Sequence, residues 1–168
     1  MNILFLCTGN SARSILAESI LNQMGSDRFR AFSAGSYPKS HVHPLALRLL
    51  QQLGYTTVDL RSKSWEEFTG TDAPRLDLVI TVCDDAAAET CPVWAGQPTS
   101  GHWSIPDPAA VDGAEENRIQ AFATAYELLL AKITSLVQLP VGSLSTSALE
   151  FHLDRIAGIP ASAHSDAS

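Results

Sequence analysis

Apolar residues follow two rhythms along this chain. Unbroken runs at Ile3-Leu4-Phe5-Leu6 and from Leu76 to Val82 predict buried strands, and Phe29 to Phe32 predicts a shorter one, ended by Ser33-Ala34-Gly35 and Pro38. Elsewhere the spacing is helical. Ile15, Leu16, Ser19, Ile20 and Met24 form one such stripe, stopped by Gly25, and the leucines between Pro44 and Leu53 form another, closed by Gly54. Glu115 to Leu136 is the clearest amphipathic stretch, with Ile119, Phe122, Ala123, Tyr126, Leu129, Leu130 and Ile133 on one face and Pro140 beyond its end. Leu149, Leu153 and Ile156 predict one more helix over Ser147 to Ile156, followed by a frayed Ser/Ala/His tail. Strand, helix and strand within the first thirty-five or so residues make a βαβ unit, hence a parallel sheet with a right-handed crossover.

Composition narrows the function. The 168 residues suffice for one domain with a substantial core, at an ordinary 45% hydrophobic and 17% charged. No apolar run spans a bilayer and no basic region precedes the first apolar stretch, so no membrane association and a cytoplasmic location are expected. A net charge of −7 without a Lys/Arg cluster argues against nucleic acid as a partner, so any anion site must be local. Cysteines number three, an odd count that points to thiol chemistry rather than a disulfide framework. His41 and His43 have no third ligand nearby and are assigned to a solvated loop. No metal and no tightly bound cofactor are expected, and a monomer is.

The chemistry concentrates where the first strand meets the first helix, at Cys7-Thr8-Gly9-Asn10-Ser11-Ala12-Arg13-Ser14. A loop in that position aims backbone N–H groups and the positive end of a helix dipole at whatever sits above Cys7. That potential and the Arg13 guanidinium should favour a Cys7 thiolate, making Cys7 a nucleophile at the floor of an oxyanion cradle. Arg13 can bind two oxygens of a tetrahedral anion at once. Ser14 can donate to the thiolate, and the Asn10 amide can hold the loop by its backbone contacts. At the end of the strand from Leu76, Cys83 falls on the same sheet edge as Cys7, because ligands in open α/β sheets bind beyond the carboxyl ends of the strands. Two thiols there are either chance neighbours or a redox pair. Cys91 follows a short predicted helix, Asp84 to Glu89, which sets Cys83 and Cys91 about 10 to 12 Å apart at their Cα atoms. A disulfide between them needs about 7 Å or less, so that segment would have to unwind.

The stretch from Cys7 to Ser14 resembles the signature of the low-molecular-weight protein tyrosine phosphatases and of the arsenate reductases that share their fold, in a form closer to the reductases of the thioredoxin-coupled type. The Ser33-Ala34-Gly35 turn, and His102-Trp103 followed by Asp107-Pro108, are similar to the same family, the likeness covering Met1 to Val137. It implies a flavodoxin-like α/β three-layer sandwich with a central four-stranded parallel sheet and helices on both faces. Residues 1–137 would form the phosphatase-like domain and 138–168 a C-terminal extension. It also implies reduction of arsenate to arsenite, a step in arsenic detoxification. Thr8 to Ser14 would bind the oxyanion and Cys7 would attack it, while Asp107 protonates the departing oxygen. Cys83 and then Cys91 would take up the oxidation as successive disulfides, and an external dithiol, thioredoxin or glutathione with glutaredoxin, would reset the chain.

Several positions depart from the family pattern. Ala12 stands where a number of the reductases carry another cysteine, and the spacing from Cys83 to Cys91 differs slightly from the thioredoxin-coupled one, which leaves both reductants open. Asn10, Glu18, Ser64 and Glu66 match in part the positions that hold potassium in some relatives. The phosphatases carry aromatic residues after the Asp-Pro, whereas here Ala109, Ala110 and Val111 follow, so an aromatic wall is missing from that place. The alternative function is a phosphatase for phosphotyrosine or small phosphate esters, working through a Cys7 phosphoryl intermediate. A non-enzymatic thiol sensor of redox state or arsenite is the third, and it requires little of Arg13 or Asp107.

Overall fold

Ile3 to Leu6 are at most 1% exposed because β1 (Asn2–Leu6) is covered on both sides. A strand so placed reads as a continuous apolar run rather than an alternation. The structure, a computed structural model, describes residues 1–25 and 27–161; the expected frayed tail lies almost wholly outside them. Four parallel strands form one sheet in the order β2-β1-β3-β4, with β2 (Arg30–Ala34), β3 (Leu78–Thr81) and β4 (Thr99–His102) joining β1. Leu6 lies opposite both Ala34 and Thr81, and Thr81 opposite His102, so the strands end together. Cys7, Gly35, Cys83 and Trp103 therefore leave the sheet on one edge.

Alternate residues feed two cores, as the pleat requires. Ile3, Phe5, Leu78 and Ile80 belong to the larger core, with α1 (Arg13–Met24), α2 (Pro44–Gln52), α4 (Glu115–Val137) and α5 (Thr146–Ala157). Leu4, Leu6 and Val79 belong to the smaller, closed by Leu76, Trp94 and Phe68 of a short 3-10 helix, Trp65–Phe68. Helices thus flank the sheet on both sides, but unequally.

The helix boundaries follow their local signals. Gly25 ends α1 with its N–H on Leu21 O, and Pro44 opens α2. Strand boundaries moved more. β2 starts one residue later than predicted and runs on through Ser33-Ala34, because β1 supplies a partner out to Leu6. β3 is shorter than its apolar run, since Leu76 turns aside to bond Ala95 O and fill the smaller core. His43 is corrected from a solvated residue to the N-cap of α2: its Nδ1 accepts from Leu45 N at 3.1 Å and its ring lies 4.7 Å from that of Phe122.

Along α4 the buried stripe is Phe122, Ala125, Tyr126, Leu129, Lys132, Ile133 and Leu136, a rotation from the expected face that takes in a lysine. Lys132 Nζ donates to the carbonyls of Ile156, Ala157 and Ile159 at 3.2, 2.7 and 2.8 Å. A buried cation at the C-terminal end of α5 meets the negative end of that helix dipole, and so ties the extension to the fold. Among the described residues no helix is long and apolar enough to cross a membrane.

Candidate active site

The cradle is shaped by what its carbonyls bind. Thr8 O accepts from Tyr37 N, Gly9 O from Lys39 N and the Ser62 hydroxyl, and Ser11 O from His43 N. A trans peptide points its N–H opposite to its C=O. With those carbonyls held outward, the N–H groups of Gly9, Asn10 and Ala12 turn inward. Those of Asn10 to Ser14 find no acceptor among the described residues. α1 starts from Ala12 with no side-chain cap, so its positive end is left for an anion.

Asn10 is the fixing pin. It is fully buried with φ at 41°, a left-handed conformation that asparagine tolerates better than most residues. Its Nδ2 donates to Ser14 Oγ at 2.8 Å, and its Oδ1 accepts from Lys63 N at 2.8 Å. Ser14 is thus engaged as an acceptor with Asn10, and among the described residues it makes no hydrogen bond to Cys7. Gly35 passes so close beneath that a Cβ there would lie 2.4 Å from Thr8 O and 2.7 Å from Cys7 O.

Cys7 and Cys83 are both buried and adjacent, each thiol acting on the titration of the other. Cys83 caps the short helix α3 (Asp84–Ala88), its sulfur accepting from Ala86 N and from Thr8 N, each at 3.4 Å. The Cys7 thiol and these N–H groups pull Cys83 down to about 5, against its burial. Cys7 is pushed up, chiefly by Cys83 and by burial, in spite of Arg13 and the Gly9 N–H. The two thiols titrate as a pair, and the N–H groups of Thr8 and Ala86 favour its negative charge on Cys83. Arg13 and the Gly9 N–H act on Cys7 in the expected direction, and Cys83 adds an N-cap role that a cysteine just before a predicted helix suggests.

Arg13 stands at the rim. Its NH1 donates to Ile105 O at 3.0 Å and its NH2 lies 3.5 Å from Asp107 Oδ2. Its Nε is buried without a partner among the described residues, an orphan donor of the kind an oxyanion satisfies. Asp107 is divided: Oδ1 accepts from Ala109 N to start a 3-10 turn, and Oδ2 faces Arg13. A cleft of about 330 Å³ opens over Cys7 between these groups. Tyr37, Lys39 and Asp85 also line it and went unread in the sequence, because only backbone pairing with the cradle brings residues 37 and 39 there.

Cys91 is exposed and stands apart from the other thiols, beyond α3. Its thiol is pushed up by burial of the sulfur and by the Glu89 carboxylate. Glu89 in turn accepts from Thr8 Oγ1 at 3.1 Å.

Behind the cradle lies a buried ion pair. Lys63 Nζ is 3.7 Å from Glu18 Oε2 and 3.4 Å from Ser33 Oγ, and donates to Arg61 O at 3.0 Å, while Ser33 Oγ donates to Glu18. Burial pushes Glu18 up and Lys63 down, and each opposes that shift in the other. The ammonium takes the positive role beside Glu18, so the partial match of Asn10, Glu18, Ser64 and Glu66 to a potassium site does not fit a further cation. Ser64 is spent capping the 3-10 helix through Glu66 N.

The family model for low molecular weight phosphotyrosine protein phosphatase matches residues 2–144. The arsenate reductase of Bacillus subtilis is 34% identical over 117 residues, covering 69% of this chain and 80% of that one. Among solved structures, the arsenate reductase of Archaeoglobus fulgidus superposes with a TM-score of 0.60 at 28% identity, over 79% of this chain and 98% of that one. The thioredoxin-dependent arsenate reductase of Corynebacterium glutamicum superposes with a TM-score of 0.50 at 27% identity, over 76% of this chain and 59% of that one.

Proposed function

The chain belongs to the low molecular weight phosphotyrosine protein phosphatase family, and from that premise we propose that it reduces arsenate to arsenite through a relay of its own thiols. The observation that carries this reading is the place of Cys83 at the cradle floor, its sulfur 3.4 Å from the N–H of Thr8, the residue that follows Cys7. A phosphatase needs the first thiol alone.

Arsenate is held by the inward N–H groups of the cradle and by two nitrogens of Arg13. As the Cys7 sulfur attacks arsenic, its proton passes to the Cys83 thiolate, so the neighbour acts as the base. Asp107, in its acid form, protonates the departing oxygen, which leaves as water. Cys83 then attacks the Cys7 sulfur. The sulfur–arsenic bond breaks with its electron pair left on arsenic, the Cys83 proton goes to an arsenite oxygen, and a Cys7–Cys83 disulfide remains. Cys91 attacks Cys83, expelling Cys7, which takes up the Cys91 proton. The resulting Cys83–Cys91 disulfide is reduced by an external dithiol. Thioredoxin is favoured in that role by the likeness to a thioredoxin-dependent reductase; glutathione with glutaredoxin is the other reductant.

Phosphatase activity is the second reading. Arsenate and phosphate share shape and charge, and Tyr37, exposed and lining the cleft, offers an aromatic face that Ala109 to Val111 do not.

One experiment separates these. The reduced protein is given one equivalent of arsenate without external reductant, and its thiols are counted by intact mass after alkylation, beside a phosphate control. Two thiols lost, with one arsenite released and the bond mapped to Cys83 and Cys91, is the expected result. A bond left at Cys7 and Cys83 keeps the reduction and removes Cys91 from the relay. Three surviving thiols overturn the reductase, and aryl phosphate turnover then decides for the phosphatase.

A further inference from the structure

α3 stands between Cys83 and Cys91, and the relay proposed above cannot finish while it is wound. Its five residues are too few to sustain a helix alone, since the first turn costs more order than its hydrogen bonds return. Outside contacts hold it. One is the Cys83 sulfur, capping Ala86 N and bonded to Thr8 N. That cap weakens as soon as Cys83 enters a disulfide, because the sulfur loses the charge that made it a good acceptor. A second is the bond from Thr8 Oγ1 to Glu89, at the far end of the segment.

The third does not depend on the state of sulfur. His102, the last residue of β4, places Nε2 2.9 Å from Asp84 Oδ1, at the first residue of α3. Its Nδ1 lies 2.7 Å from Thr81 Oγ1, so the ring is fixed from behind by the last residue of β3. Nδ1 also lies 3.2 Å from Thr81 O; a proton on Nε2 donates to Asp84 while Nδ1 accepts from the Thr81 hydroxyl, and a doubly protonated ring donates to Asp84 and to Thr81 O at once. The clasp therefore ties the start of α3 to the ends of two strands of a rigid sheet.

We propose that His102 is a positioning residue for the second thiol exchange: through Asp84 it keeps α3 wound while Cys7 and Cys83 meet the oxyanion, and it sets the cost of the unwinding that brings Cys91 to Cys83. This inference rests on the thiol relay. Once Cys83 is oxidised, the clasp still ties the start of α3 to the sheet, and opening it loosens the segment.

The test uses a Cys7→Ser background, so that Cys83 and Cys91 can pair only with each other. The equilibrium between their disulfide and dithiol is measured against dithiothreitol, with and without His102→Ala. Asp84 is largely exposed, which limits an ion pair of this class to about a three- to fivefold effect. Removing the clasp should shift the equilibrium toward the disulfide by that factor. Asp84→Ala should do the same, the double variant should add nothing, and His102→Gln, which keeps a donor, should restore most of the original value. In the chain with Cys7 intact, His102→Ala should speed formation of the Cys83–Cys91 bond after arsenate and leave arsenite release within twofold. An unchanged equilibrium, or additive single variants, overturns the clasp while leaving the relay standing. A Cys83–Cys91 bond that never forms, in any variant, overturns the relay and the clasp with it.

Discussion

The cradle and the α3 segment leave neighbouring strands on the same edge of the sheet, each led by a cysteine of the proposed relay, yet they are held in opposite ways. The cradle's carbonyls at Thr8, Gly9 and Ser11 and the side chain of Asn10 are bonded to segments from Tyr37 to Lys63, and the twelve-residue α1 follows. α3 has five residues, one buried side chain at Ala86, and attachments at its two ends. Binding an oxyanion needs donors that do not reorganise. Passing oxidation to an exposed thiol needs a segment that does. One edge supplies both because stability within a fold is not uniform.

The comparison breaks most severely if the support beneath the cradle is removed. Lys63→Met leaves the Glu18 carboxylate buried and unpaired, and should cost about 3–5 kcal/mol in urea unfolding. Next is Asn10→Ala, which strands the buried Lys63 N–H and should cost about 2 kcal/mol. It should also weaken phosphate binding, read by isothermal titration, whereas α3 keeps its contacts and the Cys83–Cys91 equilibrium stays put.

The thiol charge sharpens the contrast. Absorbance at 240 nm should show one thiolate appearing as pH rises through about 5, and the kcat/KM for arsenate should fall below that pH, where Cys83 is protonated and cannot take the Cys7 proton. Cys83→Ser removes the largest cause of the raised Cys7 pKa, so Cys7 should then titrate lower than in the parent chain. The smallest effect belongs to Thr8→Val, which loses the hydroxyl bond to Glu89 and keeps the backbone N–H on Cys83. It should raise amide exchange across 84–88 by about threefold and leave α1 unchanged.

Legibility in the sequence divides along similar lines. The cradle could be read because strand, loop and helix are contiguous, and the place of Asp107 beside it came through the family likeness rather than from spacing. β4 could not be delimited: Thr99-Ser100-Gly101-His102 shows no apolar rhythm, and its strand character comes from pairing with Leu78 to Thr81. Lys63 gave no local sign that it would be buried beneath Asn10, nor Lys132 that it would be buried under α5, since a lysine goes inside only when distant acceptors meet it. The part of Cys83 in the thiol charge was hidden for a related reason: the N–H groups of Thr8 and Ala86 point at its sulfur only once two strands and a helix are brought together.

Gly35 has no side chain with which to bind or react, yet it limits what this protein can become. A single methyl group there would collide with the backbone of Thr8 and Cys7, neither of which can yield without turning the cradle inside out. In a saturation mutagenesis screen under arsenate selection, position 35 should be as intolerant of replacement as position 7. The reason is opposite: one is irreplaceable for the atom it supplies, the other for the atoms it leaves out.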